Sequence, residues 1–380
     1  MHAIHRVVGV MSGTSIDAID CALCRCDRER LALERTWSRP MPRPMARRLH
    51  AIARGDATSW ECGQAHHDLG RLYADVVAEG LGRARVDAVG LHGQTVFHKP
   101  GGRSPATWQL GEPAWLARRL GVPVVSNFRA ADMAAGGQGA PLATLFHEAA
   151  FSKEGTWTAV QNLGGIGNVT WMDCTRARTR RLSFDTGPAN VLLDMAARLA
   201  SNGRESFDRD GRRASLGRVD ERRLATWLRD PFLRRKPPKS TGRERFGEPF
   251  MARILRDWPE ALADGGRDLM ATLVAFTARS IALNYEWHLP PPAKGSAARV
   301  IVAGGGANNP ALMSALHGAL ADVLPGIELR AVADLGWPTQ SVEPSAFAWL
   351  ADRHLRGLPG NVPNTTGARR ACVLGTLTPP

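Results

Sequence analysis

The run Met11-Ser12-Gly13-Thr14-Ser15-Ile16-Asp17-Ala18-Ile19-Asp20 packs three hydroxyls, one glycine and two carboxylates into ten residues. Gly13 lets a ligand come close to the backbone. Successive N–H groups, with the hydroxyls of Ser12, Thr14 and Ser15, make a concave anion site. Asp17 stands where a metal ion or a sugar hydroxyl could be held. The chemistry implied is phosphate binding, although a solvated hairpin turn has the same composition. Two later stretches repeat the device: Gly164-Gly165-Ile166-Gly167-Asn168 and Gly304-Gly305-Gly306-Ala307-Asn308. The last is not G-x-G-x-x-G and lacks the Lys and Ser/Thr of a Walker A loop. It does lie between a strand and a helix, which is one way of seating a nucleotide.

Acid–base groups accompany these turns. Asp185 in Phe184-Asp185-Thr186-Gly187-Pro188 ends a short apolar run, where a carboxylate can take a proton from water or a hydroxyl. A helix-capping aspartate is the plainer alternative; the surrounding constellation favours the base. Glu343 opens the last helix, where an acid also suits the helix dipole. His92-Gly93-Gln94-Thr95 follows a strand and reads as a sugar-positioning loop, at the strand end where α/β proteins bind ligands. Arg129 could hold a substrate carboxylate in its planar fork. An Arg129–Asp132 ion pair that only shapes the glycine-dense loop 127–141 is the competing reading, and both residues are candidate substrate contacts.

These groups require a positioning framework, and the sequence supplies one. Val7–Met11 and Ala18–Leu23 flank the first glycine turn as a β-hairpin. Strands are expected at 31–37, 86–92 and 122–126, with helices near 46–53 and from the Thr58/Glu61 capping box to about 81. Pro113 suits a helix first turn, and a further helix is expected over 142–150. The second half opens as the first did, with strands 156–162 and 169–172 around the second turn, a structural repeat. Pro188 is expected to start a helix over 188–200. Residues 229–245 read as a basic surface excursion or an oligomer contact. Helices near 247–256 and 266–288, strands 299–303 and 327–332, and the helix from Glu343 complete the pattern. Strand and helix signals alternate, which argues an α/β fold.

At 380 residues with 44% hydrophobic content the chain exceeds one ordinary core, so two domains are expected. Their boundaries are read as 1–130 with 341–380, and 131–340. No apolar run approaches the ~20 residues of a membrane span, and no signal peptide is recognised. Cys21, Cys24 and Cys26 lack a second ligand pair for zinc, so they read as small core residues with reduced thiols, in a cytoplasmic protein. The net charge of +13 raises nucleic-acid binding. The arginines are dispersed and lack interleaved aromatics, so an arginine-rich background, or attraction of small anionic substrates, accounts for it better.

Taken together, Met11 to Asp17, His92 to Thr95, Asn127-Phe128-Arg129 with Gly136 to Pro141, Asn162 to Asn168, Phe184 to Pro188, Lys239-Ser240-Thr241-Gly242-Arg243-Glu244 and Gly304 to Gly306 resemble the anhydro-N-acetylmuramic acid kinase family, of the sugar kinase/Hsp70/actin fold group. The likeness runs over nearly the whole chain. Ala18, Asn127 and Ala189 depart from the family's usual Gly, Asp and Gly. The resemblance implies two ribonuclease-H-like domains of actin/hexokinase type around a central cleft, and a homodimer. It implies ATP, with Mg²⁺ to neutralise the phosphates, and conversion of 1,6-anhydro-N-acetylmuramic acid to N-acetylmuramic acid 6-phosphate in cell-wall recycling. Asp185 would be the base and Glu343 would orient sugar or water. A kinase for another amino sugar, and a non-catalytic binding protein of the same fold, are the alternatives.

Overall fold

The computed structural model describes residues 4–176 and 179–380. These form twelve strands: β1 His5–Ser12, β2 Ala18–Cys26, β3 Leu31–Pro40, β4 Ala88–Lys99, β5 Ala106–Leu110, β6 Val124–Ser126, β7 Thr156–Leu163, β8 Ile166–Asp173, β9 Arg180–Pro188, β10 Ala297–Ala303, β11 Glu328–Ala331 and β12 Thr376–Thr378. Internal contacts divide the chain into one unit of Met1–Phe151 with Gln340–Pro380, and another of Ser152–Thr339.

The first unit is built on a sheet in the order β12-β6-β4-β1-β2-β3, with β5 paired to β4. β1, β2 and β3 are antiparallel, while β4 and β6 run parallel to β1 and to each other. The sheet of the second unit repeats this arrangement. Its order is β11-β10-β7-β8-β9, with β7–β8–β9 antiparallel and β10 and β11 parallel to β7 and β10. An antiparallel meander extended by parallel strands beside its first member is the ribonuclease-H-like pattern, and it occurs once in each unit.

Side chains alternate across a strand, and β1 uses both faces. Val8 and Val10 enter a core with Leu49, Leu69, Tyr73 and Val77, from the helices Arg43–Arg54 and Ser59–Leu81. The second of these helices starts at the reciprocal Thr58–Glu61 capping box. Gly9 faces the other way. A β-carbon on it would lie 1.7 Å from the Pro344 carbonyl oxygen, and one on Gly90 of β4 would lie 2.2 Å from that of Phe347. The two glycines therefore let the helix Val342–Leu355 lie directly on β1 and β4. In the second unit the sheet is covered by Arg267–His288, a helix buried through most of its length, together with Asn190–Ala200 and Pro310–Val323. No helix among the described residues is long and apolar enough to cross a membrane.

Several expectations are corrected. Residues 131–151 belong with the first unit. The Asp132 carboxylate accepts from Asn361 Nδ2 and Thr366 Oγ1, both at 2.7 Å, which ties this segment to the C-terminal part of the chain. Residues 128–134 are a helix rather than part of a loop, entered through Asn127 at φ +55°, a conformation that asparagine tolerates. Pro188 ends β9, and the next helix begins at Asn190. The strand expected over 86–92 continues to Lys99, because β5 pairs with its second half. Lys239, expected on a surface excursion, is 3% exposed. Cys21, Cys24 and Cys26, by contrast, stand in the core as expected: they are buried free thiols whose pKa values burial raises, Cys24 to about 12.

Candidate active site

In the first unit the polar groups gather at one end of the sheet. Register places Met11 opposite Asp20 and Ser12 beside Gln94. The Ser12 hydroxyl is buried and lies 2.5 Å from the Tyr73 hydroxyl. The carbonyl oxygen of Gly13 accepts from Ile16 N at 3.0 Å and from Gln94 Nε2 at 3.1 Å. With that carbonyl engaged, N–H groups and hydroxyls are what the turn offers a ligand. Ile16 is held at φ +58°, which is uncommon for a β-branched residue; burial of its side chain in the core pins it there. Ile19 is likewise a core residue, so both can meet a ligand only through their backbone. Thr14, Ser15 and Asp17 are exposed. Ser15 Oγ donates to Asp17 Oδ1 at 2.8 Å. Outside its chain neighbours, a β-carbon on Gly13 would meet nothing nearer than Ser15 Oγ at 3.5 Å among the described residues, so the turn is open to an approaching group. Ala18 begins β2 and is half-buried.

His92, Gly93, Gln94 and Thr95 are not a loop. They continue β4, and the first three are buried. Gln94 supports the first glycine turn, and Gly93, at φ +77°, lets β5 pass close by. His92 Nε2 lies 2.9 Å from Arg129 Nη2. A guanidinium only donates, so Nε2 accepts and the ring proton sits on Nδ1. Burial, reinforced by Arg129, holds the His92 pKa well below its usual range, so the ring is neutral. Arg129 also donates to the Gly139 carbonyl oxygen at 2.7 Å. The Arg129–Asp132 ion pair is not formed: Asp132 Oδ2 accepts from Gly139 N at 2.7 Å, and the residue is fully buried. Asp132 is a loop brace, with no face left for substrate. Arg129 has its pKa lowered to about 10 by burial, opposed by Glu343, and remains cationic. Glu343 reaches solvent, yet the protein around its carboxyl, then Asp20 and Asp17, raise its pKa against the pull of Arg129. Burial also raises the pKa of Asp20, while a bond from Ser38 opposes it.

In the second unit the glycine turns are neighbours, because β10 pairs with β7. Backbone N–H groups of Ala189, Asn190 and Val191, leading into a helix, donate to the carbonyl oxygens of Gly165, Gly164 and Gly165 at 3.0, 2.9 and 3.1 Å. These carbonyls are thereby committed, which leaves the turn's N–H edge for a ligand. A β-carbon on Gly165 would meet nothing nearer than Val191 Cβ at 3.9 Å. Gly304, at φ +84°, packs so closely on the turn that a β-carbon would lie 2.5 Å from Asn162 Oδ1; one on Gly306 would lie 2.7 Å from Leu163 Cβ. Gly305 and Asn308 are exposed, and Asn168 is half-buried. Gly167 is a strand residue whose missing side chain makes room for Thr186.

Asp185 lies on β9 opposite Asn168. Its N–H donates to the Lys239 carbonyl oxygen at 3.1 Å, and its Oδ2 accepts from Thr241 N at 2.8 Å. Burial raises its pKa to about 7, against the Thr241 bond and the Lys239 charge. Ala189 precedes the next helix, so Asp185 is not its cap. Lys239 Nζ donates to Asn284 Oδ1 at 2.5 Å and to the carbonyl oxygens of Leu233 at 2.9 Å and Phe232 at 3.3 Å. Burial lowers its pKa to about 8, while Asp185 opposes that shift. Thr241 bonds Asp185, Lys239 lies beside it and Asn284 holds Lys239; the sequence points to none of the three individually, although Lys239 to Glu244 carry part of the family resemblance.

Glycine turns with open N–H edges, beside a carboxylate whose pKa burial raises to about 7, are the kind of groups that phosphoryl transfer uses. The family model described as anhydro-N-acetylmuramic acid kinase matches residues 5–380. An anhydro-N-acetylmuramic acid kinase of Vibrio vulnificus (strain CMCP6) is 40% identical over 97% of each chain. One of Streptomyces coelicolor is 40% identical over 98% of this chain and 94% of its own. Among solved structures, a ROK family glucokinase from Streptomyces griseus, in complex with glucose and AMPPNP, covers 91% of this chain and 98% of its own, at 14% identity and a TM-score of 0.37. The chain belongs to the anhydro-N-acetylmuramic acid kinase family.

Proposed function

We propose that this protein is an ATP-dependent kinase that opens 1,6-anhydro-N-acetylmuramic acid with water and phosphorylates it to N-acetylmuramic acid 6-phosphate, in cell-wall recycling. The observation that carries the reading is Asp185, a carboxylate poised to titrate near pH 7 and fixed by a backbone N–H, on the strand paired with the open Gly164–Gly165 turn, in a chain of this family. The relatives' names supply the sugar.

Asp185 takes a proton from water as the water oxygen bonds to the anomeric carbon. The bond from that carbon to oxygen 6 breaks, and its electron pair stays on oxygen 6. This oxygen attacks the γ-phosphorus, the bond to the β-phosphate oxygen breaks, ADP leaves, and the proton on Asp185 passes to solvent. The N–H edges of the turns at Gly13, Gly164–Gly165 and Gly304–Gly306 bind ATP. Arg129 and Glu343 hold the sugar, with Thr95 the one member of its tetrapeptide that is not buried. Mg²⁺ would neutralise the phosphates, with Asp17 and Asp20 the carboxylates nearest the first turn in sequence; an ion of this kind keeps several waters and needs few protein ligands. A homodimer is part of this proposal.

An assay of ADP release with ATP, Mg²⁺ and the anhydro sugar, with mass spectrometry of the product, tests the reading. A product heavier by one water and one phosphoryl group is expected. A product carrying phosphate without the added water would leave a kinase but remove the ring-opening step, and absence of sugar-dependent ADP release would overturn both.

A further inference from the structure

The second unit holds a cavity of about 450 Å³ lined by residues 204–209, 212, 213, 216 and 267. None of these belongs to a glycine turn or touches Asp185. Its lining has five arginines (Arg204, Arg209, Arg212, Arg213, Arg267) against two acids (Glu205, Asp208), a local excess of three positive charges. Both acids are already engaged. Glu205 Oε2 accepts from Arg213 Nε at 3.1 Å and from Nη2 at 2.9 Å. Asp208 is buried and accepts from the backbone N–H groups of Arg213 at 2.9 Å and Ala214 at 3.1 Å. Among the described residues, Arg204, Arg209, Arg212 and Arg267 have no carboxylate partner.

Some arginines are neutralised in place. Arg6, Arg48, Arg245, Arg279 and Arg356 each pair with a carboxylate at 2.6–2.8 Å. An arginine-rich composition alone would scatter unpaired guanidiniums over convex surface, where water screens them. Here four exposed guanidiniums line one concavity, and an anion seated among them would offset their mutual repulsion. The wall is preorganised: Gly211, at φ +64°, sits so close to the start of the helix Pro310–Val323 that a β-carbon would lie 2.4 Å from Asn309 Oδ1 and 2.6 Å from Ala311 Cβ. Phe207 and Leu216 are 50% and 68% exposed on the same lining. They give apolar surface to the organic part of a ligand.

We infer that this cavity is a second anion site, which binds a small phosphate-bearing molecule through the guanidiniums of Arg209, Arg212 and Arg267, independently of the catalytic turns. Forked guanidinium–phosphate bonds are the contacts this lining is suited to make, and the volume suits a metabolite. A nucleotide, a sugar phosphate and inorganic pyrophosphate share the chemistry. A nucleotide or sugar phosphate would also cover Phe207.

Calorimetric titration of the full chain at low salt tests this, with pyrophosphate, ADP and N-acetylglucosamine 6-phosphate as probes. The comparison is between the wild type and the triple variant Arg209→Gln/Arg212→Gln/Arg267→Gln. The wild type is expected to bind one more equivalent of at least one probe than the variant, and sugar-dependent ADP release is expected to be unchanged. The single variant Arg212→Gln, at an exposed position, should weaken that extra equivalent about tenfold, the size of one charge-assisted contact. If Phe207→Ala removes a preference for ADP over pyrophosphate, the ligand is a nucleotide; if it removes a preference for the sugar phosphate, a sugar. Equal stoichiometry and affinity for every probe in wild type and triple variant would overturn the site. Because turnover is read separately, loss of the anion site and failure of the kinase reading are distinguishable.

Discussion

Asp185 carries the strongest chemical claim, and its environment sets the pH dependence. Burial raises its pKa to about 7, so the base is protonated below that pH and the rate should rise as pH passes through about 7. Replacing it by Asn keeps an acceptor for Thr241 N and removes the base. Turnover of Asp185→Asn should fall at least ~10²-fold while ATP binding, followed by calorimetry, persists; near-normal turnover would take Asp185 out of the mechanism. The stability effect has a definite sign. A carboxyl whose folded pKa lies above its unfolded value contributes stability that is present at low pH and lost as pH rises through the folded pKa. Asp185→Asn should therefore raise Tm by at least ~2 °C at pH 8 and change it little at pH 4. Lys239 is the counterpart of this base. Its charge favours the Asp185 carboxylate, so Lys239→Met should move the acid limb of the rate profile to higher pH. A drop in rate with an unmoved limb would make Lys239 merely structural.

At the scale of elements, position follows from close backbone approach. Gly9 and Gly90 bring the helix that starts at Val342 onto β1 and β4, and so fix where Glu343 stands relative to Asp20 and Arg129. An alanine at either glycine needs the helix to move. Gly9→Ala or Gly90→Ala should cost about 1–3 kcal/mol, as overpacking does. It should also raise KM for the sugar more than it lowers kcat, read from Tm and steady-state kinetics; unchanged Tm would mean that the helix has room to shift. This pairing was not legible in the sequence, because Gly9 and Gly90 sit inside apolar runs and their partner lies more than two hundred residues away. The hairpins were legible, since each couples period-two apolar strands to a glycine turn. Lys239 was not, because loop residues have no periodicity and its slot is completed by Asn284 on a distant helix. His92 and Gln94 look like loop polar groups in the sequence for a related reason: a strand inside the sheet can bury polar side chains that bond within the protein, His92 to Arg129 and Gln94 to Gly13.

The whole molecule has to reconcile a net charge of +13 with a reaction on small anions. Many of its arginines are neutralised locally, and those that are not include a group around a cavity of metabolite size rather than a ridge that could follow a nucleic-acid backbone. A protein that neutralises many phosphates at once loses affinity by orders of magnitude over a few-fold rise in salt, as counterions are no longer released to advantage. A positive field that only steers a small anion acts on encounter, and screening weakens it gradually. Raising NaCl from about 50 to 200 mM should therefore lower kcat/KM for ATP several-fold, leave kcat nearly constant, and reveal only weak, shallow-sloped binding to duplex DNA or RNA. A steep salt slope for nucleic acid, at sub-micromolar affinity, would instead make the charge a binding surface for a polymer. With salt-independent kcat/KM the charge would have no part in catalysis at all, since a field that reaches ATP before contact must be weakened when ions stand between them.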